Sequence, residues 1–271
     1  YQPILRLKDG TLVGFELSAF WHHPRYGVLS SWDIVSALED YTSLTQFALL
    51  LFERAAADLV SLDAKFPKED YFFSVSFSSP IILAPAFIKE LQSLLLRHPV
   101  KAQRLKIELP ESALTQNPEQ TASLLKELKA MGFSLVLDNF NTGYASLFYF
   151  VRYPFDIIKM DRALLARTNT RTDKEKILYT LINLAKQFDL KLAAKGVDSE
   201  KDVTLLRALG CHYIQSTTFK SHTSFAAIVS FIENYPKLIK STALPESKKE
   251  QETQQPTAEQ EQQTSQEEVK D

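Results

Sequence analysis

Ser134-Leu135-Val136-Leu137-Asp138-Asn139-Phe140-Asn141-Thr142-Gly143 opens as an apolar run and ends in polar turn residues. A short apolar run bounded by turn signals is how a strand covered on both faces reads, so Ser134 to Leu137 delivers Asp138 and Asn139 into a turn. The pattern recurs downstream, where Phe155 to Ile158 leads into Lys159-Met160-Asp161. A carboxylate and a lysine at the ends of successive parallel strands are natural ligands for a divalent metal and a phosphate.

Outward from this pair the alternation of strand and helix is regular. Strands are expected at Tyr71 to Ser76, Leu105 to Leu109, Phe133 to Leu137, Ile157 to Met160, Leu192 to Ala194 and Tyr213 to Ile214. Helices are expected near Ala86 to Arg97, Glu119 to Met131, Asp173 to Phe188, Glu200 to Leu209 and Phe225 to Tyr235. Ahead of them, Tyr1 to Arg6 and Leu12 to Leu17 form a hairpin through Lys8-Asp9-Gly10. Helices then follow at Ser31 to Glu39 and Leu44 to Leu62, the second with a stripe at Phe47, Leu50, Leu51, Ala55 and Leu59. Met131-Gly132 and Leu209-Gly210 place glycine where a left-handed helix cap is wanted. This is a parallel α/β pattern, and its strand count favours a closed barrel over an open doubly wound sheet. No Gly-rich phosphate loop follows a first strand, which argues against a dinucleotide fold.

The composition is that of a soluble domain: 271 residues, 45% hydrophobic, net charge -2 and one cysteine, Cys211. Bulk charge gives no sign of a nucleic-acid binder, and a lone cysteine excludes an internal disulfide framework. A cytoplasmic setting is expected, and the apolar runs are too short to span a bilayer. From Leu244 onward the chain has no aromatic residue and is dominated by Gln, Glu, Lys, Thr and Ser. Such a segment cannot offset roughly 1 to 2 kcal/mol of backbone entropy per residue. The expected organisation is therefore a domain over 1–240 and a disordered Gln/Glu-rich tail over 241–271. Because Tyr1-Gln2-Pro3-Ile4-Leu5 already reads as a strand, the chain is expected to be the C-terminal piece of a longer multidomain protein, with any membrane attachment carried by the upstream part.

The strand ends are where a barrel of this kind keeps its reacting groups. They carry Glu16, Ser76, Glu108, Asp138 with Asn139, Lys159, Lys195 and Gln215. Together with Gly14-Phe15-Glu16, Trp21-His22-His23-Pro24, Glu111-Ser112-Ala113-Leu114, Thr142-Gly143-Tyr144-Ala145-Ser146-Leu147, Lys159-Met160-Asp161-Arg162 and Leu206-Arg207-Ala208-Leu209-Gly210-Cys211, in this order and spacing, they resemble the bacterial EAL domain. That family comprises cyclic di-GMP phosphodiesterases and inactive relatives, and the resemblance spans Tyr1 to about Tyr235. It implies a TIM-like (β/α)8 barrel with an antiparallel first strand. In active members it implies two magnesium or manganese ions that activate water against the phosphodiester.

At matched positions the sequence departs from that pattern. The Glu-Ala-Leu signature reads Glu16-Leu17-Ser18, and the arginine that grips a substrate phosphate is Phe20. The metal-binding asparagine is Ser76, the second of the paired aspartates is Asn139, and a glutamate is replaced by Lys195. Glu16, Glu108 and Asp138 remain as vestigial metal ligands; Lys159, Glu111 and Gln215 remain as vestigial catalytic positions. The resemblance implies a pocket of five carboxylates and one lysine, formally -4, whereas here three acids face two lysines, a net -1. At an effective dielectric of ~20, a unit charge about 4 Å away is worth roughly 4 kcal/mol, enough for Lys195 to expel a metal.

The resulting expectation is a degenerate EAL domain without phosphodiesterase activity, acting as a regulatory or protein-interaction module in bacterial signalling. The alternatives are a receptor that binds cyclic di-GMP without cutting it and a weak residual phosphodiesterase. No cofactor is expected beyond weak Mg or Mn. The expected partner is a protein the sequence does not identify, or a second copy of the chain, with cyclic di-GMP disfavoured. Leu147, Phe148, Phe150 and Val151 follow the loop where family members often dimerise, and read either as dimer contacts or as core. Lys159 is expected to pair with Asp138 or Glu16, Lys195 to be a phosphate anchor or a solvated rim lysine, and His22-His23 to be structural.

Overall fold

The computed structural model describes residues 1–38, 40–76, 85–140, 148–161, 171–216 and 222–241. In chain order the elements are β1 (Gln2–Arg6), β2 (Leu12–Leu17), β3 (Phe20–His23), β4 (Gly27–Ser30), α1 (Ser31–Ala37), α2 (Tyr41–Lys65), β5 (Phe72–Ser76), α3 (Pro85–Arg97), β6 (Leu105–Pro110), α4 (Ala113–Gln116) and α5 (Pro118–Ala130). They continue with β7 (Ser134–Phe140), α6 (Phe148–Arg152), β8 (Ile157–Met160), α7 (Arg171–Gln187), β9 (Lys191–Lys195), α8 (Glu200–Leu209), β10 (Tyr213–Gln215) and α9 (Phe225–Ser241). Eight strands close a barrel in the order β1-β10-β9-β8-β7-β6-β5-β2. β1 is antiparallel to both β2 and β10, and the other neighbours are parallel.

The helices form because each has an apolar stripe to lay on the strands. On α2 the buried set is Leu44, Ala48, Leu51, Phe52, Ala55, Ala56, Leu59 and Leu62, at the 3–4 residue spacing of one helix face. Leu50, expected in that stripe, lies outside it and is exposed. The helix also starts earlier than the apolar pattern, since the Asp40 side chain accepts a hydrogen bond from the Ser43 backbone and caps it. Gly132 and Gly210 have φ of +92° and +89°, the left-handed conformation expected from their positions. Phe15, Phe52, Phe73, Phe87 and Phe133 are fully buried between barrel and helices, each stabilising the fold by about 1.5 to 3 kcal/mol.

Three features differ from the sequence reading. β3 and β4 form a separate antiparallel hairpin, pairing Phe20 with Ser30 and His23 with Gly27. β7 does not end at Leu137 but continues through Asp138 and Asn139 to Phe140. It does so by a bulge in its pairing with β8, with Asn139 at φ +55°. Asparagine tolerates that conformation better than most residues. Finally, α9 extends to Ser241, past the helix end expected near Tyr235. The expected tail from residue 242 onward is outside the described residues. Among those described, no helix is long and apolar enough to cross a membrane.

Candidate functional site

Alternation along the strands sends Gly14 and Glu16, Phe72 and Ser74, Lys106 and Glu108, Val136 and Asp138, Ile157 and Lys159, and Lys191, Ala193 and Lys195 into the barrel. Gly14 is required there: a Cβ would lie 2.3 Å from the Phe72 carbonyl oxygen and 2.8 Å from its ring. The inward residues stack in layers. Midway lies a small apolar cluster of Val136, Ile157 and Ala193, packed by Tyr213 and separate from the main core. Above it, at the carboxyl ends of the strands, the polar residues converge.

Lys159 is the centre of this upper layer and is only 2% exposed. Its Nζ donates to Glu16 Oε2 at 2.6 Å and to both carboxylate oxygens of Glu108 at 3.0 and 2.9 Å. Gln215 Nε2 donates to the same Glu16 oxygen at 2.8 Å. Ser74 Oγ donates to Glu108 in a short hydrogen bond. Burial opposes ionisation of Glu16, yet the charge and hydrogen bond of Lys159, aided by Gln215, hold its pKa at about 2. Glu108 goes the other way: burial, with Glu16 and Asp138 nearby, raises it to about 7 despite Lys159. Lys159 stays charged against its burial because Glu108 and Glu16 face it. Two carboxylates share one lysine, and Glu108 is the one left closer to its neutral form.

A second cluster lies beside the first. Lys195 Nζ donates to Asp138 Oδ1 and Oδ2 at 2.9 and 3.1 Å and to Asn139 Oδ1 at 2.6 Å. Asp161 lies 3.8 Å from the same ammonium. Lys195 is therefore not a solvated rim lysine; it is three-quarters buried and bonded to the groups beside it. Lys159 correspondingly pairs with Glu16 and Glu108, while Asp138, its other expected partner, is held by Lys195. The bulge in β7 makes this geometry, because it brings Asp138 and Asn139, adjacent in sequence, onto the same lysine.

The remaining expected positions are more dispersed. Ser76 ends β5 opposite Glu108 in register but is exposed. Phe20 sits on the outer hairpin, 44% exposed, with its ring 5.1 Å from that of His222. Glu111 is buried just after β6, and its backbone N–H donates to the Asp138 carbonyl at 3.2 Å, tying the two strand ends together. His23 Nδ1 accepts from the backbone N–H groups of Arg25 and Tyr26, each at 3.1 Å, so the histidine closes the hairpin turn as a structural residue would. Of the four residues read as dimer contacts or as core, Phe150 lies in the core: it is 7% exposed and packs on Phe140 and Phe188. Val151 faces outward at 74% exposure. Leu147 and the Phe148 side chain lie outside the described residues. Ser74, not singled out from the sequence, is the missed member of the site; its signal was the inward alternation of β5 two residues before Ser76.

A family model described as the EAL domain matches residues 1–216. The chain belongs to the EAL domain family. Among curated relatives, this EAL domain is 31% identical over 235 residues to the cyclic di-GMP phosphodiesterase NbdA of Pseudomonas aeruginosa, covering 87% of the chain and 30% of that protein. It is 29% identical over 223 residues to an uncharacterized protein of Mycobacterium tuberculosis, covering 81% of the chain and 73% of the relative. The chain thus spans about a third or less of the length of several curated relatives. Among solved structures, the MucR phosphodiesterase in complex with cyclic di-GMP aligns with a TM-score of 0.76 at 26% identity, covering 84% of this chain and 92% of that one. An EAL enzyme bound to cAMP and cyclic di-GMP, Bd1971, shares the fold with a TM-score of 0.78 at 22% identity, over 86% of this chain and 63% of that one.

EAL phosphodiesterases imply magnesium or manganese at these strand ends, and the donors can be tested against such ions. Both oxygens of Asp138 and the amide oxygen of Asn139 are turned onto an ammonium, and Glu16 and Glu108 are turned onto another. Among the described residues no group of three or more His, Cys, Asp or Glu is arranged to hold a metal ion. As arranged, these side chains do not fit a two-ion centre: a divalent ion between Asp138 and Asn139 would need Lys195 to leave.

Proposed function

We propose that this EAL domain does not hydrolyse cyclic di-GMP and acts as a regulatory or protein-interaction module in bacterial signalling. The observation that carries the reading is the position of Lys195, whose ammonium is bonded to Asp138 and Asn139, the groups from which a metal would have to be held. Its charge repels a divalent cation and its amine fills the space between the donors. A neutral amide at Asn139 and an exposed hydroxyl at Ser76 do not replace the lost negative charge. Phe20 offers no cationic fork to a phosphate. Both lysines pair with carboxylates of the chain itself, and the closed barrel is retained, which suits a domain that persists for its surface.

Titration calorimetry with cyclic di-GMP, with and without magnesium or manganese, followed by chromatography for the linear dinucleotide, tests this. The expected result is neither binding nor turnover. Micromolar binding without turnover would replace this reading by that of a receptor, and turnover would overturn both.

A further inference from the structure

The barrel has a second polar mouth, at the amino ends of the strands, where a family of this architecture does not ordinarily keep its chemistry. A cavity of about 390 Å³ opens there, lined by Lys106, Lys129, Lys191 and Ser134 together with two acids, Asp156 and Asp189. The apolar cluster of Val136, Ile157 and Ala193 separates it from the upper layer.

The charges in this cavity do not cancel. Asp156 is already engaged: its Oδ1 accepts from Lys129 Nζ at 2.7 Å and its Oδ2 from the Leu135 backbone at 2.8 Å. Asp189 is exposed at the rim. Lys106 projects inward from β6 with its ammonium 4.3 Å from the Phe72 ring centroid, and among the described residues no carboxylate or hydrogen-bond acceptor pairs with it. Lys191 reaches the Tyr213 ring at 5.9 Å in the same way. Burial, reinforced by the charge of Lys191, pulls the Lys106 pKa down to about 8. Aromatic faces attract a cation but do not neutralise it, and three lysines against two acids leave the cavity one positive charge in excess, with the partly buried Lys106 ammonium lacking a directly bonded carboxylate among the described residues.

We propose that this cavity is an anion site that takes the phosphate group of a small ligand, held between Lys106 and Lys191 with Ser134 Oγ available as a further donor. A compact phosphate group brings the negative charge the cavity lacks and is small enough for its volume of about 390 Å³. Lysines bind phosphate as point charges without the planar geometry an arginine fork demands. The upper layer plays no part, so the site is independent of whether the domain hydrolyses or binds cyclic di-GMP.

The test is titration calorimetry of the whole chain with inorganic phosphate and, separately, with adenosine monophosphate, at fixed ionic strength with chloride as the control salt. Saturable binding is expected for the unaltered protein, weakened at least tenfold in Lys106→Gln and in Lys191→Gln and retained in Lys195→Met. Tighter binding of the mononucleotide would identify the phosphate as a nucleotide's; tighter binding of inorganic phosphate would identify the free ion. Lys191 is exposed, so its variant reads the site even if Lys106→Gln fails to fold. Absence of saturable binding, an equal response to chloride, retention of affinity in Lys191→Gln, or loss in Lys195→Met alone would overturn the proposal.

Discussion

Replacing Lys195 by methionine keeps the length and apolar stem of the side chain and removes only its charge and donors. Asp138, 5% exposed at its side chain, would then face Asp161 without the ammonium that now lies between them. Breaking a fully buried ion pair by removing one partner costs about 3 to 5 kcal/mol. Lys195 is a quarter exposed, so solvent screens part of this, and a loss of about 2 kcal/mol is the discounted expectation. For a domain of this size that is a fall in Tm of roughly 4 to 8 °C. The same change uncovers the donor oxygens of Asp138 and Asn139, so the variant should bind manganese where the unaltered chain does not. A ligand at a hundred times its Kd adds about 2.7 kcal/mol, enough to return all of the lost Tm. Thermal unfolding followed by circular dichroism, in a chelator and then across a manganese series, measures both effects. A variant that loses less than about 1 °C, or an unaltered chain that gains as much from manganese as the variant, would refute the assignment of Lys195 as the group filling the ion's place.

The other predictions concern the rest of the barrel. Glu108 has a folded pKa raised to about 7, so its protonation stabilises the fold fully below the unfolded value near 4.5 and the contribution is lost as pH rises through 7. Glu108→Gln, a permanent stand-in for the neutral form, should flatten the fall of unfolding free energy between pH 5 and 8 measured in urea; an unchanged slope would assign the titration elsewhere. Phe150→Ala should cost about 3 to 5 kcal/mol in chemical denaturation, as a core deletion does, whereas Val151→Arg should stay within about 0.5 kcal/mol. If the α6 face joins two copies, that second substitution alone should shift the sedimentation coefficient to that of a monomer. Gly14→Ala should destabilise by about 1 to 3 kcal/mol or more, since the new methyl meets the Phe72 carbonyl and not a movable side chain; a neutral effect would mean that β2 and β5 can separate freely.

Strand ends were legible in the sequence because a short apolar run followed by a charged residue has few other readings, and the family resemblance fixed their order around the barrel. Partner choice was not legible. Whether Lys159 reaches Asp138 or Glu108 depends on barrel closure and register, which place β6 and β2 around it and hand Asp138 to β9. Lys195 follows Ala193-Ala194 as a rim lysine would, and a four-carbon stem can reach outward or inward; only the bulge that turns Asn139 toward it decides the matter. The β3–β4 hairpin did have a signal. Pro24 and Gly27, the latter at φ +76°, bracket its turn, but the strands on either side are too short to stand out as apolar runs. Leu50 was misassigned because consecutive leucines satisfy several helical stripes at once, and the sheet beneath α2 selects among them.

A cation that belongs to the chain differs from one drawn from solution in a way that reaches beyond this pocket. Held on its own side chain, the Lys195 ammonium has an effective concentration fixed by tether length, which for short flexible connections is already on the order of millimolar and cannot be diluted. Chelators, ion shortage and competition from other metal-binding proteins leave it in place. On the function proposed above, the charge at this barrel end is thereby uncoupled from the ionic state of its surroundings.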